Sequence, residues 1–215
     1  MDRCGNDAPV MWMLHVRGYD LHAMRKRETE VERELRLSRE ENAALRRALM
    51  VVDAADHGVP QHRRRLFVVG TRSRHPVHLE LPRREHQAAG RTISLTSGKW
   101  SAIDRPGRSV RTLARVAAGR RQFGERFLAP YYGSGSGETG RSLDRPIGTL
   151  TTRARWALID GDRMRMVSAV EGRELMGFGP EYQLPANEAT AWHLIGNAVV
   201  PPVACDLINA LRIAA

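Results

Sequence analysis

The chain has 215 residues, of which 42% are hydrophobic, so it is long enough for one generous domain or two small ones with a buried core. Its 34 Lys and Arg against 24 Asp and Glu give a formal net charge of +10, which favours a polyanionic partner, although a solvated basic surface without a ligand has the same composition. The only two cysteines, Cys4 and Cys205, exclude a disulfide framework and a Cys-x-x-Cys metal or redox site.

No segment of the sequence predicts a membrane span, an export signal or a metal site. The apolar stretch APVMWMLHV at residues 8–16 is too short to cross a bilayer and lacks the flanks of a signal peptide. His75 and His78 are three residues apart, but Pro76 between them disfavours a shared helical face, so we expect two surface histidines. We therefore expect a cytoplasmic, nucleoid-associated protein without a membrane partner.

The first 50 residues are predicted to form a separate N-terminal segment with one charged helix. From Met24 to Met50 the sequence contains neither Gly nor Pro. Spacings of four and three recur along a seam of Val31, Leu35, Ser38, Asn42, Leu45 and Leu49. The seam fits a surface helix that packs one stripe on its own domain, and equally a coiled coil that forms a homodimer through residues 24–50.

The next stretch is predicted to lead through a turn into a buried strand. Its pattern indicates a short strand or helix end at 51–55, a turn at 56–61 and a buried strand at 66–70. Because side chains alternate along an extended chain, Gln61, Arg63 and Arg65 are expected on one face. The arginine run also fits a plain solvated strand entrance.

The middle of the chain changes in composition. Residues 71–144 are rich in Arg, Gly, Ser and Pro with only short apolar pieces, which predicts irregular strands and loops. The following stretch, RPIGTLTTRARWALID at 145–160, predicts extended segments.

The C-terminal part is predicted to contain two helices and a turn. Ser168–Met176 predicts a helix, because a serine followed three residues later by Glu171 is the capping-box pattern. The sequence GNAVV at 196–200 predicts a tight turn followed by a buried segment. Apolar spacing from Pro201 onwards predicts a last helix, whose first turn tolerates proline.

Three stretches, taken in order, resemble the DNA cytosine-5 methyltransferases. AADHGVPQHRRRLFVVG at 54–70 resembles the QxRxR motif of that family. RPIGTLTT at 145–152, followed by VSAVEGRELMGFGPEY at 167–182, is similar to the stretch after the target-recognition region. IGNAVVPPVA at 195–204 is similar to the C-terminal GNxVxP motif. Order and spacing match over roughly 51–211, and the first 50 residues lie outside the resemblance.

The resemblance implies an α/β fold. A partial Rossmann-like, S-adenosylmethionine-dependent methyltransferase domain would carry an irregular, mainly β target-recognition domain, with an N-terminal helix in front. The implied boundaries are 1–50 for the N-terminal segment, 51–70 for a catalytic-domain strand, 71–165 for the target-recognition region and 166–215 for the return of the catalytic domain.

The resemblance also implies roles for particular residues. Arg65 would donate to O2 of a cytosine flipped out of the duplex, and Gln61 and Arg63 would position it or the DNA. Asn197 would contact the amino-acid end of S-adenosylmethionine, with Gly196 allowing close approach and the Ala198 N–H as a donor, although Gly196 also fits a plain turn. Contacts to double-stranded DNA are expected from Arg120, Arg121, Arg126, Ser134, Ser136, Arg141, Thr151, Thr152 and Arg153.

Three motifs of the family do not occur in this sequence: the Pro-Cys-Gln loop of the nucleophilic cysteine, the Glu-Asn-Val of the assisting glutamate, and the cofactor's glycine loop. We therefore expect a fragment or split subunit that does not methylate DNA alone, with an incomplete S-adenosylmethionine pocket and a complementary chain that supplies the missing motifs. Two alternatives stay open, a DNA-binding protein without catalysis and an inactive relic.

Overall fold

The computed structural model describes residues 10–13, 46–71, 79–132 and 140–214. The strands are β1 (Val10–Met13), β2 (Arg46–Asp53), β3 (Arg64–Thr71), β4 (Ser101–Ala102), β5 (Arg126–Pro130), β6 (Trp156–Asp160) and β7 (Arg163–Met166). The helices are α1 (Val110–Phe123), α2 (Ala169–Leu175), α3 (Glu188–Asn197) and α4 (Pro201–Ala214), with 3-10 turns at Ala54–His57 and Ala89–Arg91.

The chain divides into two compact units. The first contains the described residues of Met1–Val52, Arg64–Pro82 and Cys205–Ala215, and the second contains those of Asp53–Arg63 and Arg83–Ala204. Both units contain a small sheet, so the fold is mixed α/β.

The first unit is built on a three-stranded sheet in the order β1-β3-β2. β1 pairs antiparallel with β3, which places Val10 opposite Gly70 and Met13 opposite Phe67. The buried strand predicted at 66–70 is confirmed as the central strand, where neighbours on both sides satisfy its backbone. Its Val69 packs in a small core with Leu79, Ala210 and Leu211. A partial Rossmann-like domain stays a prediction.

The helix predicted over Met24–Met50 is wrong at its C-terminal end. Residues 46–50 belong to β2, so Leu49, the last position of the heptad seam, lies in a strand. Val51 and Val52 are β-branched and favour extended backbone, and pairing with β3 outweighs the local helical pattern. The seam residues before 46 lie outside the described residues, and the coiled coil stays a prediction.

The second unit contains a four-stranded sheet in the order β4-β7-β6-β5, antiparallel at every pairing. The extended segments predicted at 145–160 are confirmed at β6, a strand buried along most of its length. One face of the sheet buries an apolar core made of Ile103, Val116, Phe127, Ala129, Ala157, Ile159 and Met164.

The expectation of irregular structure over 71–144 is wrong at α1. Ser109 caps this helix, because its hydroxyl accepts from the Thr112 N–H at 3.3 Å. Gly119 lets the helix approach the sheet closely, since a Cβ there would lie 2.1 Å from the Phe127 ring. The buried positions of α1 are Thr112, Val116 and Gly119, and Leu113 and Phe123 pack against the same core.

The C-terminal helices confirm two predictions and correct a third. α2 begins at the predicted capping box of Ser168 and Glu171, and α4 begins at Pro201. The turn predicted at 196–200 is wrong at its start, because Gly196 and Asn197 are the last residues of α3. Burial of Ala191, Trp192 and Ile195 holds the helix in place up to that point.

The stretch Glu188–Ile213, which contains α3 and α4, is long and apolar enough to cross a membrane, with a mean hydropathy of 1.5 over an 18-residue window. Core helices of soluble proteins pass the same test, and 44% of that window is buried in the protein. The expected absence of a membrane partner stays a prediction.

Candidate functional site

The carboxylate of Asp53 fixes the backbone that leads into β3. Its Oδ1 accepts from the N–H groups of Ala55 at 3.3 Å and Arg63 at 2.9 Å. Its Oδ2 lies 3.0 Å from Nδ1 of His62. Gly58, with a φ of 76°, closes the intervening turn in the left-handed region that favours glycine. Sequence reasoning missed Asp53, although an aspartate directly before a turn is a favoured capping residue.

Gln61 is fully buried and hydrogen-bonds to the protein itself. Its Oε1 accepts from the Leu150 N–H at 2.8 Å. Its Nε2 donates to the Leu175 carbonyl at 3.3 Å and lies 2.9 Å from the sulfur of Met176. The backbone at Gln61 also forms a parallel bridge to Ile147. One side chain therefore joins three segments that are far apart in sequence.

Arg63 is the second buried polar side chain of this segment, with 3% of its surface exposed. Its Nη1 donates to the Leu150 carbonyl at 3.0 Å. Its Nη2 donates to the carbonyls of Gly196 at 2.8 Å and Ala198 at 3.2 Å. A guanidinium carries five donors in a rigid fork, so one side chain can satisfy carbonyls of two separate segments.

We call the residues that these contacts join the motif cluster: Gln61, Arg63, Leu150, Leu175, Gly196 and Ala198. All three stretches that carry the sequence resemblance contribute to it. The shortest separation in sequence that these hydrogen bonds span is the 87 positions between Arg63 and Leu150. The motif cluster lies within the second unit.

Gly196 has no room for a side chain. A Cβ at this position would lie 2.3 Å from the nitrogen of Thr152 and 2.5 Å from the oxygen of Thr151. The sequence predicts that Gly196 allows close approach of the cofactor, and in the structure the backbone of Thr151 and Thr152 is what approaches it. Thr151 and Thr152, predicted to contact DNA, are half-buried beside it.

The other two residues predicted to bind the cofactor differ in what they offer. Asn197 is half-buried, and its Nδ2 lies 3.1 Å from Nε2 of His193 on the same helix. The Ala198 N–H donates to the Ile195 carbonyl at 3.2 Å, so this donor already has an acceptor.

Arg65 lies in β3, in the first unit, and is half-buried. Its Nη1 donates to the carbonyl of Arg64 at 2.7 Å. Its Nε is buried and has no hydrogen-bond partner in the part of the chain that the structure describes. Burial lowers the pKa of the Arg65 guanidinium below its ordinary value. The side chain therefore retains donors for a ligand, whereas Gln61 and Arg63 direct theirs to the protein.

Two arginines predicted to contact DNA are neutralised by carboxylates. Arg120 lies 3.1 Å from Glu125 and 2.9 Å from Asp162. Arg126 binds Asp160 at 2.8 Å. Hydrogen bonds from Arg163 and Arg126 lower the pKa of Asp160, so this carboxylate stays ionised and keeps neutralising its partners.

The remaining residues predicted to contact DNA differ in accessibility. Arg121, Arg141 and Arg153 are exposed. Ser134 and Ser136 lie outside the described residues. Of the two cysteines, Cys205 is exposed on α4 as a free thiol, and Cys4 lies outside the described residues.

Sequence reasoning missed a buried ion pair in the second unit. Nη1 and Nη2 of Arg165 bind the two carboxylate oxygens of Glu171 at 2.8 and 2.5 Å, and both side chains are buried. The same carboxylate accepts from the Ser94 N–H at 2.9 Å, and Arg165 donates to the Ser94 carbonyl. The pair thus ties the chain before β4 to β7 and α2. The capping box marked Glu171, but no local signal marked Arg165, because the fold brings the two together.

Replacing Glu171 by glutamine is expected to lower the free energy of unfolding by about 2 kcal/mol at neutral pH. Burial raises the pKa of the Glu171 carboxyl, but hydrogen bonds from Arg165, Ser168 and Ser94 and the charge of Arg165 bring it below its ordinary value. The pKa of Glu171 is therefore lower in the folded protein than in the unfolded chain. The ionised carboxylate stabilises the fold at pH values above the unfolded-state pKa, and this stabilisation is lost as the pH falls through the folded-state pKa.

The difference between native protein and variant should therefore shrink below about pH 4. Urea unfolding at neutral and acid pH measures it. Glu174→Gln, at an exposed position on the same helix, is the control and should change stability by less than about 0.5 kcal/mol. A difference for Glu171→Gln that is as large at pH 3 as at pH 7 would contradict the assignment.

Comparison with known families adds to this geometry. Residues 24–98 match the family model described as C-5 cytosine-specific DNA methylase. The match includes β2, the Asp53 turn and the segment from Gln61 to Arg65, and it ends before the other stretches of the motif cluster. It begins at residue 24, inside the N-terminal segment that we expected to lie outside the resemblance. Among curated proteins, no significant match to the chain is found.

Three solved structures are similar in fold. A variant of the DNMT2 of Spodoptera frugiperda is 14% identical, with 86% of this chain and 63% of that chain covered and a TM-score of 0.52. A putative DNA modification methyltransferase encoded within a prophage of E. coli is 13% identical, with 80% and 62% covered and a TM-score of 0.53. The Dnmt2 methyltransferase of S. pombe is 13% identical, with 85% and 63% covered and a TM-score of 0.51.

At these identities the comparison shows a likeness of fold alone, between this mixed α/β chain and three proteins that are named as methyltransferases. The chain spans less than two thirds of the length of each of these three structures.

Proposed function

We propose that this chain supplies the base contact and the DNA recognition of a DNA cytosine-5 methyltransferase whose methyl donor is S-adenosylmethionine. The family match over 24–98 supports the reaction class. The observation that carries the proposal is the motif cluster, because Gln61 and Arg63 hold together the stretches that the resemblance singled out. A chance likeness of three unrelated stretches would not require them to meet.

In this proposal Arg65 is the group that contacts the substrate. A cytosine must leave the duplex before its ring can react, and a guanidinium can then donate to its O2. Two observations support this role: Arg65 is half-buried, and its Nε has no hydrogen-bond partner among the residues that the structure describes. Gln61 and Arg63 are positioning residues, since their donors go to the protein and fix the backbone before β3.

The residues assigned to S-adenosylmethionine fit it only in part. Asn197 can turn its half-buried amide from His193 to a ligand. Gly196 does not fit the role, because the backbone of Thr151 and Thr152 fills the space beside it. Ala198 does not fit it either, because its N–H already donates to the Ile195 carbonyl. We therefore propose that most of the cofactor's contacts come from outside this chain.

The nucleophile is also proposed to come from a second polypeptide. The chemistry of the family requires a cysteine thiolate that attacks C6 of cytosine. The Pro-Cys-Gln setting of that cysteine does not occur in this sequence. The second candidate function is DNA binding without catalysis, which the net charge of +10 favours.

Mixing this chain with the product of a neighbouring gene that carries Pro-Cys-Gln and Glu-Asn-Val is expected to transfer tritiated methyl groups to cytosine C5 in duplex DNA. Neither polypeptide should do so alone, because losing a covalent nucleophile costs on the order of 10⁴ in rate. DNA binding by the mixture without transfer would favour the non-catalytic function. A mixture that neither binds nor methylates DNA would contradict the proposal.

A further inference from the structure

The arginines of the second unit fall into two classes by their counterions. Arg120, Arg126, Arg163 and Arg165 each lie within 3.1 Å of a carboxylate oxygen. Other arginines of this unit have no carboxylate partner among the described residues, and three of them, Arg115, Arg141 and Arg155, lie near Tyr131, Tyr132 or the Trp156 ring that packs on Tyr132. The first class is paired locally, whereas these three arginines keep their charge available to a ligand.

These three arginines lie beside the segment of Tyr131 and Tyr132, which follows β5. The guanidinium of Arg115 lies over the Tyr131 ring, 4.4 Å from its centroid. Nη1 of Arg155 donates to the Tyr131 carbonyl at 3.2 Å, and the Tyr131 N–H donates to the Arg155 carbonyl at 2.7 Å. These contacts fix Arg115 and Arg155 without using all of their donors.

Arg141 reaches the same place from another segment. Its backbone pairs with that of Leu128 in β5, with both N–H···O distances at 2.9 Å. The hydroxyl of Tyr132 accepts from Nε1 of Trp156 at 2.6 Å and donates to the Thr149 carbonyl. Burial raises the pKa of Tyr132, so the phenol stays neutral and provides no counter-charge for the arginines.

We propose that Arg115, Arg141 and Arg155 bind the phosphodiester backbone of duplex DNA, and that the ion-paired Arg120 and Arg126 do not. When Arg115, Arg141 and Arg155 bind phosphate, no ion pair has to break. Stacking already orders the side chain of Arg115, and a backbone contact already orders that of Arg155. Arg120 and Arg126 would first have to leave their carboxylates. The inference rests on the proposed function and names the surface that performs its DNA recognition.

The test compares two double variants of the full chain that remove the same charge. Binding to a fluorescein-labelled duplex of mixed sequence is measured by anisotropy over a range of salt concentrations. Each phosphate contact contributes about 0.9 to the slope of log K against log salt, so Arg141→Gln/Arg155→Gln should reduce the slope by about 1.8. The matched pair Arg120→Gln/Arg126→Gln should reduce it by less than about 0.5.

Two further variants keep the test independent of folding. Arg141 is exposed, so Arg141→Gln alone should fold as the native protein does and still reduce the slope by about 0.9. Arg141→Lys/Arg155→Lys keeps the charges and should keep most of the slope. Circular dichroism checks that each variant is folded.

Equal reductions by the two double variants would overturn the inference, because net charge alone would then explain the binding. A larger reduction by the Arg120/Arg126 pair would overturn it as well. If the native chain binds no duplex DNA at low salt, the inference fails, and the proposed function fails with it if the mixture also neither binds nor methylates DNA. If the mixture methylates DNA while the two slopes fall equally, only this inference fails.

Discussion

Replacing Arg63 by alanine is expected to lower the free energy of unfolding by roughly 4 kcal/mol. The substitution leaves the carbonyls of Leu150, Gly196 and Ala198 without the donor that binds them. An acceptor left without a partner in the protein interior costs about 1–3 kcal/mol, and the truncated side chain leaves a cavity. Urea unfolding followed by tryptophan fluorescence measures the loss, because three of the four tryptophans belong to the second unit.

The next residue along the chain provides a matched control. Arg64 is exposed, so Arg64→Ala removes the same side chain and charge with an expected change within about 0.5 kcal/mol. Arg63→Lys should fall between the two, because one ammonium cannot reproduce the fork that reaches both Leu150 and Gly196. Equal losses for Arg63→Ala and Arg64→Ala would contradict the role of the motif cluster.

Replacing Arg65 by alanine is expected to reduce kcat/KM for methyl transfer by the reconstituted complex by on the order of 10²–10³. In the proposed function this guanidinium donates to O2 of the everted cytosine, where negative charge increases during attack on the ring. Within the described part of the chain, Arg65 makes one side-chain hydrogen bond, to its neighbour's carbonyl, so the urea midpoint should change little. A large loss in kcat/KM with a small loss in stability distinguishes the role of Arg65 from that of Arg63.

The controls for Arg65 separate charge from geometry. Arg64→Ala should change kcat/KM for methyl transfer by less than about twofold, because the Arg64 side chain is exposed at the first position of β3. Arg65→Lys keeps the charge but loses the planar pair of donors, and should recover only part of the rate. A complex with Arg65→Ala that methylates DNA as fast as the native one would refute the assignment of the base contact.

Local signals in the sequence predicted the elements that depend on local interactions. The capping box at Ser168 and Glu171 places two reciprocal hydrogen bonds within one helical turn, so four residues suffice to locate the start of α2. The unbroken apolar run at 66–70 located the strand that both neighbours cover. Proline at position 201 lacks the N–H that a first turn leaves without a partner, and it marked the start of α4.

The features that sequence reasoning missed depend on partners that only the fold brings near. Arg165 and Glu171 form their pair across the end of β7 and the start of α2, and Ser94 joins them from 71 residues away from Arg165. α1 went unnoticed because Gly119 is where it packs most closely, and glycine disfavours helices in local scales. The QxRxR resemblance singled out Gln61 and Arg63, and the structure shows both buried and hydrogen-bonded to the protein, but their partners could not be named from neighbours in sequence. Their roles in the reaction stay predictions.

The two outermost connections of the four-stranded sheet have a practical consequence. β4 and β7 are antiparallel neighbours, with Ser101 opposite Met164, so the chain enters and leaves this sheet through adjacent strands. Residues 101–166 thus begin and end side by side, where Arg165 and Glu171 bind Ser94, but Leu150 inside this stretch is also held by Gln61 and Arg63 outside it. A graft of these residues between homologues would therefore have to match three places, the two neighbouring strand ends and the segment around Leu150, to keep its hydrogen bonds.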